Sequence, residues 1–418
     1  PRLLRPEDVL VINDTSVIKA RLHGKKETGA KVEILIERII DEEKALVQTK
    51  SNAQLRKGDK ILISKGGESL FLLEKAEDLW KVFFSKSPRQ IINEFGKVPL
   101  PPYIKRKVNR LDSERYQTVY ADSSKDFSVA APTAGLHFEN ELLDSITSKG
   151  INIAKITLHI GMGTFKPIKD ISIIDHKMHQ ESIELGKEAI DLITQSKNAG
   201  GKVVCVGTDK AVSPLNTYGA TKLLAEKLFV SANNYLDKKK YRTKFFAVRY
   251  GNVLGSSGSV IPLFIKQIKS KQKITITNSN MTRFSLTMSE ALDFILHATN
   301  MGKGSEIFIP KLRSYSITDV KNVLTEILRN TGEEEIGIRP GEKLHEVLIN
   351  TDEMKYVWEI DDMYMIINPL YHKFFDDDLK SRYPNAKKME SMKIYSSENV
   401  EKISPTDLKQ IILDSNLL

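Results

Sequence analysis

The chain of 418 residues holds one cysteine, two tryptophans and no long apolar run, and each shortage closes off a class of protein. A single thiol, Cys205, forms no disulfide within the chain, so this is not a disulfide scaffold and a reducing cytoplasm suits it. Cys205 sits in the apolar run from Val203 to Val206, where a buried, inert thiol is expected rather than a nucleophile. No stretch approaches the ~18 continuous apolar residues of a membrane span. No basic start followed by an apolar segment marks a secretory leader, and the first residue is Pro1 rather than methionine, which leaves a truncated or processed start open. No internal repeat and no low-complexity tract is visible.

Apolar residues make up 40% and charged residues 28%, ordinary values for globular domains. At this length two or three domains can each bury a core. The net charge of +9 favours a polyanionic partner. The excess is spread evenly, with 33 basic against 28 acidic residues up to Thr208 and 30 against 26 beyond. One concentration stands out, where Lys97, Lys105, Arg106, Lys107, Arg110 and Arg115 are interleaved with Pro101, Pro102 and Tyr103. Such a loop can lie along phosphates, and a solvated basic face accounts for it equally well.

From Lys19 to about Phe84 the pattern is two-periodic, with Val32, Ile34 and Ile36 alternating with Lys31, Glu33 and Glu37 and glycines punctuating the segment. This predicts a small antiparallel sheet or barrel over about 17–90. Beyond Leu100 helices and strands alternate. A helical face of Leu142, Leu143 and Ile146 precedes a strand from Ile151 to Ile160, and a second helix carries Ala189, Ile190 and Ile193. The strand Lys202 to Val206 follows. Further on, helices are expected at Tyr218 to Asp237, Val260 to Ser270, Ser289 to Ala298 and Ile317 to Asn330. Strands are expected at Phe245 to Arg249, Ile274 to Thr277 and Glu306 to Ile309. The alternation points to an α/β class with a parallel sheet.

Three clusters in the first half carry potential chemistry. Ala131-Pro132-Thr133-Ala134-Gly135-Leu136-His137-Phe138 shapes a turn that leaves backbone N–H groups and an imidazole facing one point. Thr157-Leu158-His159-Ile160-Gly161-Met162-Gly163-Thr164-Phe165 ends a strand with two glycines that permit close backbone approach to a ligand. The third cluster is His176-Lys177-Met178-His179-Gln180-Glu181. His176, His179 and Glu181 lack a third helix-spaced ligand, so no metal site is expected. Taken singly, each histidine reads as readily as a hydrogen-bonded structural residue.

In order, Leu10-Val11-Ile12-Asn13-Asp14-Thr15, Pro99-Leu100-Pro101-Pro102-Tyr103-Ile104, Arg115-Tyr116-Gln117-Thr118-Val119-Tyr120 and the clusters above resemble S-adenosylmethionine:tRNA ribosyltransferase-isomerase over residues 1–208. The resemblance implies a β-barrel domain beside an α/β domain. It also implies transfer and isomerisation of the ribosyl part of S-adenosylmethionine onto 7-aminomethyl-7-deazaguanine in tRNA, forming epoxyqueuosine. On this resemblance His137, His159, Gly161, Gly163 and Thr164 line the site. The family's segment before Asn-Asp-Thr and its continuation after Val206-Gly207-Thr208 are not found here.

From Thr208 the sequence runs Thr-Asp-Lys-Ala-Val-Ser-Pro-Leu-Asn-Thr-Tyr-Gly-Ala-Thr-Lys. Tyr218 and Lys222 stand four apart at a helix start, so they share a face and the ammonium can lower the phenol pKa for proton transfer. Chance produces this bare spacing often. With Arg249-Tyr250-Gly251-Asn252-Val253, Gly258-Ser259-Val260-Ile261-Pro262, Met281-Thr282-Arg283-Phe284 and Ile338-Arg339-Pro340-Gly341-Glu342-Lys343-Leu344-His345-Glu346, it resembles the UDP-N-acetylglucosamine 4,6-dehydratase branch of the extended short-chain dehydrogenase/reductases, of polysaccharide-biosynthesis type. The resemblance covers about 209–370, with an extension to the end of the chain left open. It implies Tyr218 with Lys222 as the pair that deprotonates the sugar while hydride passes to NADP. Lys210 then acts as base at C5, Asp209 helps expel water, and Asn252, Arg283 and Arg339 contact the UDP-sugar. No strand, Gly-x-x-Gly-x-x-Gly turn and helix precede Asp209, so the phosphate-binding motif for NADP is expected to be absent.

The fold expected is thus α/β with a β-barrel-like subdomain, a partial ribosyltransferase-isomerase fold at 1–208 joined to the C-terminal part of a Rossmann-type short-chain dehydrogenase/reductase fold at 209–418. The functions expected are the two activities implied, each on an incomplete segment. An inactive chimera, or a module that only binds tRNA or a nucleotide-sugar, is the alternative. Oligomeric state is left open, and no membrane partner is expected.

Overall fold

A computed structural model describes residues 4–76, 78–101, 104, 106–161, 181–195, 201–237, 242–256, 258–339, 341–367, 376–389, 393–415 and 417–418. The chain divides into two compact units, Pro1–Ala199 and Gly200–Leu418. The strand that leads to the expected join at Thr208 therefore belongs with the second unit.

In the first unit β1 (Val9–Asn13) is followed by a closed barrel. Its strands are β2 (Arg21–Lys26), β3 (Lys31–Ile39), β4 (Lys44–Ser51), β5 (Lys60–Leu62), β6 (Ser69–Ala76) and β7 (Leu79–Phe84), closing in the order β2, β3, β4, β7, β6, β5. The alternation read in β3 is what closes it. Val32, Ile34 and Ile36 turn inward with Leu22, Val47, Ile61, Leu72, Val82 and Phe84, while Lys31 stays exposed. Each such side chain contributes about 1.5–3 kcal/mol on leaving water. Leu35 joins the core as well, and a register shift follows between Ile36 and Arg38. Gly24 sits where β2 meets β5, and a Cβ there would lie 2.6 Å from Ile61 Cγ2.

After the barrel come α1 (Asn140–Ser148), β8 (Asn152–His159), β9 (Ser182–Glu184) and α2 (Lys187–Gln195). β1 runs parallel to β8, pairing Val9 with Asn152, and β9 is antiparallel on the other edge of β8. In the basic loop Arg106 is already committed, donating from both Nη atoms to Asp112 at 2.6 Å. That bidentate pairing holds the Asp112 carboxyl down at about 2. Pro102, Tyr103 and Lys105 lie outside the described residues.

The second unit centres on a six-stranded sheet. It is built from β10 (Lys202–Val206), α3 (Thr217–Ala232), β11 (Lys244–Val248), α4 (Val260–Lys269), α5 (Met288–Met301), β12 (Glu306–Pro310), α6 (Ile317–Ile327), β13 (Val357–Ile360), β14 (Met363–Ile367) and β15 (Lys387–Lys388). The strand order is β10, β11, β12, β14, β13, β15. β10, β11 and β12 are parallel, but β14, β13 and β15 run antiparallel, so the sheet is mixed where a parallel one was expected. The turn at Asp361, with φ of 48°, folds β13 back on β14. Helices cover both faces. Val230 of α3 packs with Ala247, Ile307 and Ile309, while Phe294 and Ala298 of α5 pack with Phe246, Val248 and Phe308. α4 and α6 form a separate core through Phe264, Ile268, Val320 and Leu324.

Helix starts follow capping chemistry. The Asn216 side chain accepts from Gly219 N at the head of α3, and Thr287 with Glu290 and Ser316 with Asp319 form capping boxes for α5 and α6. No helix of the described residues is long and apolar enough to cross a membrane.

Candidate functional site

The richest concentration of charge in the second unit lies where β10 gives way to a turn. Gly207 N and Asp209 N continue the ladder past the strand end by donating to Val248 O and Tyr250 O at 2.7 and 3.0 Å. Thr208 then caps the 3-10 turn Asp209–Ala211. Asp209 is thereby buried at 3% exposure, and its Oδ1 accepts from Thr208 Oγ1 at 2.9 Å and Lys210 Nζ at 3.0 Å. Lys210 Nζ also donates to Asn252 Oδ1 at 2.9 Å.

Opposite this turn stands the run from Arg339 to Glu346. A cavity of about 290 Å³ is lined by Asp209, Lys210, Asn252, Arg283, Arg339 and Glu346, with Asn216, Glu342 and Lys343 on its walls. A second cavity of about 150 Å³ adjoins it, sharing Asn252, Arg283, Arg339 and Glu342 and ending at Ser259 and Val260 at the head of α4. The structure therefore brings Asp209, Lys210, Asn252, Arg283 and Arg339 together. Tyr218 and Lys222 do not line either cavity. Tyr218 is 55% exposed, with the Lys222 ammonium 5.8 Å from its ring centroid.

Glu346 and Lys343 are the residues that reading the sequence missed. Glu346 is buried, accepting from Phe284 N at 2.8 Å through Oε2 and from Asn252 Nδ2 at 3.2 Å through Oε1. Burial, and then the Asp209 carboxylate, push its carboxyl up to about 7, against the pull of Arg283, whose Nε lies 3.6 Å away. Lys343 donates from Nζ to Val212 O and, at 3.4 Å, to Asp209 O, and burial lowers its ammonium pKa. Both stand in the Arg339-to-Glu346 run already singled out, where the two charges at Lys343 and Glu346 were the available signal. Cys205 is half-buried rather than fully enclosed, and burial raises its thiol pKa.

The first unit carries a second constellation. Asn13 Oδ1 accepts from Leu158 N and Thr15 N, locking the Asn-Asp-Thr segment against β8. Asp14 Oδ1 accepts from Thr157 Oγ1 at 2.7 Å. Thr15 Oγ1, fully buried, meets Ser128 Oγ at 2.7 Å and His159 Nδ1 at 3.1 Å. His159 Nε2 lies 3.2 Å from Glu184 Oε1, and Lys125 Nζ donates to Glu184 Oε2 at 2.5 Å. Phe127 packs edge-on to the imidazole. Both ring nitrogens are thus engaged, which orients the imidazole.

Gly161 N donates to Glu181 Oε1 at 3.4 Å. Gly163, Thr164, His176 and His179 lie outside the described residues. His137 is exposed at the end of the turn Thr133–His137, and no hydrogen bond among the described residues links it to His159. At Gly135 the chain runs against Tyr120, whose hydroxyl would sit 2.1 Å from a Cβ.

Comparison with known proteins matches two families to this chain, overlapping over residues 177–248. The family described as queuosine biosynthesis protein matches residues 1–248, and the family described as polysaccharide biosynthesis protein matches 177–368. S-adenosylmethionine:tRNA ribosyltransferase-isomerase of Legionella pneumophila (strain Paris) is 45% identical over 205 residues, covering 49% of this chain and 60% of that protein. The chain thus spans about 60% of the length of the curated relatives it matches. Among solved structures, the X-ray structure of Pen from Bacillus thuringiensis is 40% identical, covering 55% of this chain and 66% of that one with a TM-score of 0.46. DesIV, a dTDP-glucose 4,6-dehydratase from Streptomyces venezuelae, is 15% identical, covering 37% and 53% with a TM-score of 0.31.

Proposed function

The chain belongs to the queuosine biosynthesis protein family through residues 1–248, and from that premise we propose a fusion of two segments, a tRNA-directed unit followed by a unit that holds a nucleotide-sugar. For the first unit the reading is transfer of the ribosyl moiety of S-adenosylmethionine to a deazaguanine base in tRNA. It draws support from the 45% identity to proteins of that name. The ordered hydrogen bonds from Thr15 through His159 to Glu184 give a rigid polar wall to such a site. A tRNA partner would suit a cytoplasmic setting.

For the second unit the carrying observation is the convergence of Lys210, Arg283 and Arg339 with Asp209, Asn252 and Glu346 on one cavity. Guanidinium groups suit a diphosphate bidentately. Arg283 and Arg339 are shared between the two cavities, so the diphosphate of a UDP-sugar is placed there. Its sugar then reaches Asp209 and Lys210, and its nucleoside reaches the head of α4. At the sugar end a proton passed from the Lys210 ammonium to the Asp209 carboxylate, along their 3.0 Å hydrogen bond, leaves Lys210 the group able to take a proton and Asp209 the group able to give one to a leaving hydroxyl.

NADP, if bound, would supply hydride transfer for such a reaction. The residues present do not fit it. β10 is the terminal strand of its sheet among the described residues of this unit, and that edge position supports the reading that this unit offers a dinucleotide no phosphate-binding turn. No step is drawn through that cofactor.

Titration calorimetry of the whole chain with UDP-N-acetylglucosamine and, separately, with NADP tests this reading. The expected result is binding of the sugar nucleotide and none of NADP. Absence of sugar-nucleotide binding overturns the cleft assignment, and binding of NADP overturns the reading of β10.

A further inference from the structure

An amide side chain is a donor on one side and an acceptor on the other, and its neighbours decide which way it points. Asn252 stands between a cation and a carboxyl. Lys210 Nζ lies 2.9 Å from Oδ1, and Glu346 Oε1 lies 3.2 Å from Nδ2. Reversing the amide would set its NH2 against the Lys210 ammonium, two donors face to face. What holds the amide in the observed sense is the acceptor that Glu346 presents.

The other oxygen of Glu346 has no freedom to change role, because Oε2 accepts from the backbone N–H of Phe284 at 2.8 Å. The carboxyl is therefore clamped, with one oxygen on the main chain and the other on Asn252. Its own N–H donates to Ser397 Oγ at 2.9 Å, which fixes the backbone from which it projects.

We propose that Glu346 is a positioning residue that, through the Asn252 amide, sets where the Lys210 ammonium stands in the cleft. The inference deepens the nucleotide-sugar reading and rests on it for its functional meaning, while the coupling of the three side chains stands on their geometry. Adding a proton to Glu346 brings a hydroxyl to Oε1, opposite the Asn252 NH2. Relief comes by turning the amide so that Oδ1 accepts from that hydroxyl. Lys210 then loses its Asn252 acceptor and keeps only Asp209, 3.0 Å away.

The charged and titratable groups facing Glu346 are few. Asp209 and Lys210 face it from the turn after β10, Arg283 from the strand Thr282–Phe284, Lys343 from its own loop, and Tyr315 from the strand Ser314–Ser316. Tyr315 is held neutral by burial. Glu346, whose carboxyl is raised to about 7, is therefore the acid whose charge changes in this cluster at neutral pH.

The test follows Lys210 itself. The whole chain, its lysines labelled biosynthetically with 13C and 15N so that the ammonium groups keep their protons, is titrated by NMR from pH 5 to 9, with the Lys210 side-chain resonance assigned through K210R. The expected result is an inflection near pH 7 in the Lys210 signal, lost in E346Q and lost or strongly reduced in N252A, with the folded spectrum otherwise retained. E346Q keeps side-chain size but offers one acceptor where two are needed, and N252A leaves Glu346 in place while cutting the link, so the two variants guard against simple misfolding. A Lys210 signal that is flat through neutral pH, or whose inflection survives in E346Q or persists undiminished in N252A, overturns the proposal. Because no ligand is present, failure of UDP-N-acetylglucosamine to bind in the calorimetric experiment would remove the functional meaning and leave this result readable.

Discussion

Arg249 donates from Nε and Nη2 to the two carboxylate oxygens of Glu226 at 2.8 and 2.6 Å, and neither side chain is exposed to solvent. The remaining donors of the guanidinium go to Glu353, at 2.9 Å from both Nη atoms, and to Leu348 O at 2.8 Å. One cation thus ties α3 to β11 and to the segment at Leu348 and Glu353. Removing it leaves two carboxylates in the interior, with Lys227 Nζ no nearer than 3.5 Å to Glu226. Arg249→Met is expected to destabilise the second unit by about 3–5 kcal/mol. Urea denaturation followed by the fluorescence of Trp358, in a background where Trp80 is phenylalanine, measures it. A change below about 1 kcal/mol would show that methionine's packing compensates.

The barrel has its own sensitive point at Gly24. A methyl group there would lie 2.6 Å from Ile61 Cγ2 and 2.8 Å from Leu62 O. The isoleucine can turn, but the carbonyl belongs to the backbone of β5 and the strand must move. Gly24→Ala is expected to cost about 1–3 kcal/mol, the usual range for overpacking. Trp80, 6% exposed in the barrel core, reports the transition. An unchanged denaturation midpoint would mean that β5 gives way freely.

These two sites also mark what a sequence discloses and what it withholds. The barrel was legible because β3 carries a period of two, and the core that Val32, Ile34 and Ile36 build obeys it. The helix of Tyr218 and Lys222 was legible from local spacing, within a residue of its observed start at Thr217. The pairing of Glu346 with Asn252 was not, because the partners are 94 residues apart and neither position has a periodic or capping signature. Nor was the reversal of direction in the sheet. β14 is buried along its whole length, Met363–Ile367, and a run buried on both faces has no period from which its neighbours can be inferred.

In the cleft, Arg339, the more exposed of the two arginines shared by both cavities, is expected to matter most for affinity. Arg339 is exposed at its rim, with room to close on a diphosphate. A hydrogen bond to a charged group is worth about 1.5–3 kcal/mol, so Arg339→Ala should weaken UDP-N-acetylglucosamine binding roughly 10- to 100-fold. Arg313→Ala removes an exposed arginine paired with Asp407 away from the lining, and is expected to leave affinity unchanged. Calorimetry compares the two. Equal losses in both would point to a general effect of charge instead of contact with the ligand.

Glu346 also links the site to the stability of its unit. Its folded carboxyl titrates at about 7 against an ordinary value of 4.5, so between those two pH values the folded state holds a proton that the unfolded state has lost. More protons bound when folded means that stability falls as pH rises through this window. At ~1.4 kcal/mol for each pH unit of displacement, the full swing is on the order of 3 kcal/mol. The cost is absent below about pH 4.5 and complete above about pH 7. Denaturation followed at Trp358 for the wild-type chain and for E346Q, at pH 5, 6, 7 and 8, isolates the effect as a difference in slope. Glutamine also removes one acceptor from Asn252 or Phe284, which lowers stability by a similar amount at every pH and leaves the slope readable. A wild-type chain whose stability relative to E346Q stays constant from pH 5 to 8 would show that the Glu346 carboxyl is ionised throughout, and the burial that raises it would then be offset by Arg283 and Lys210.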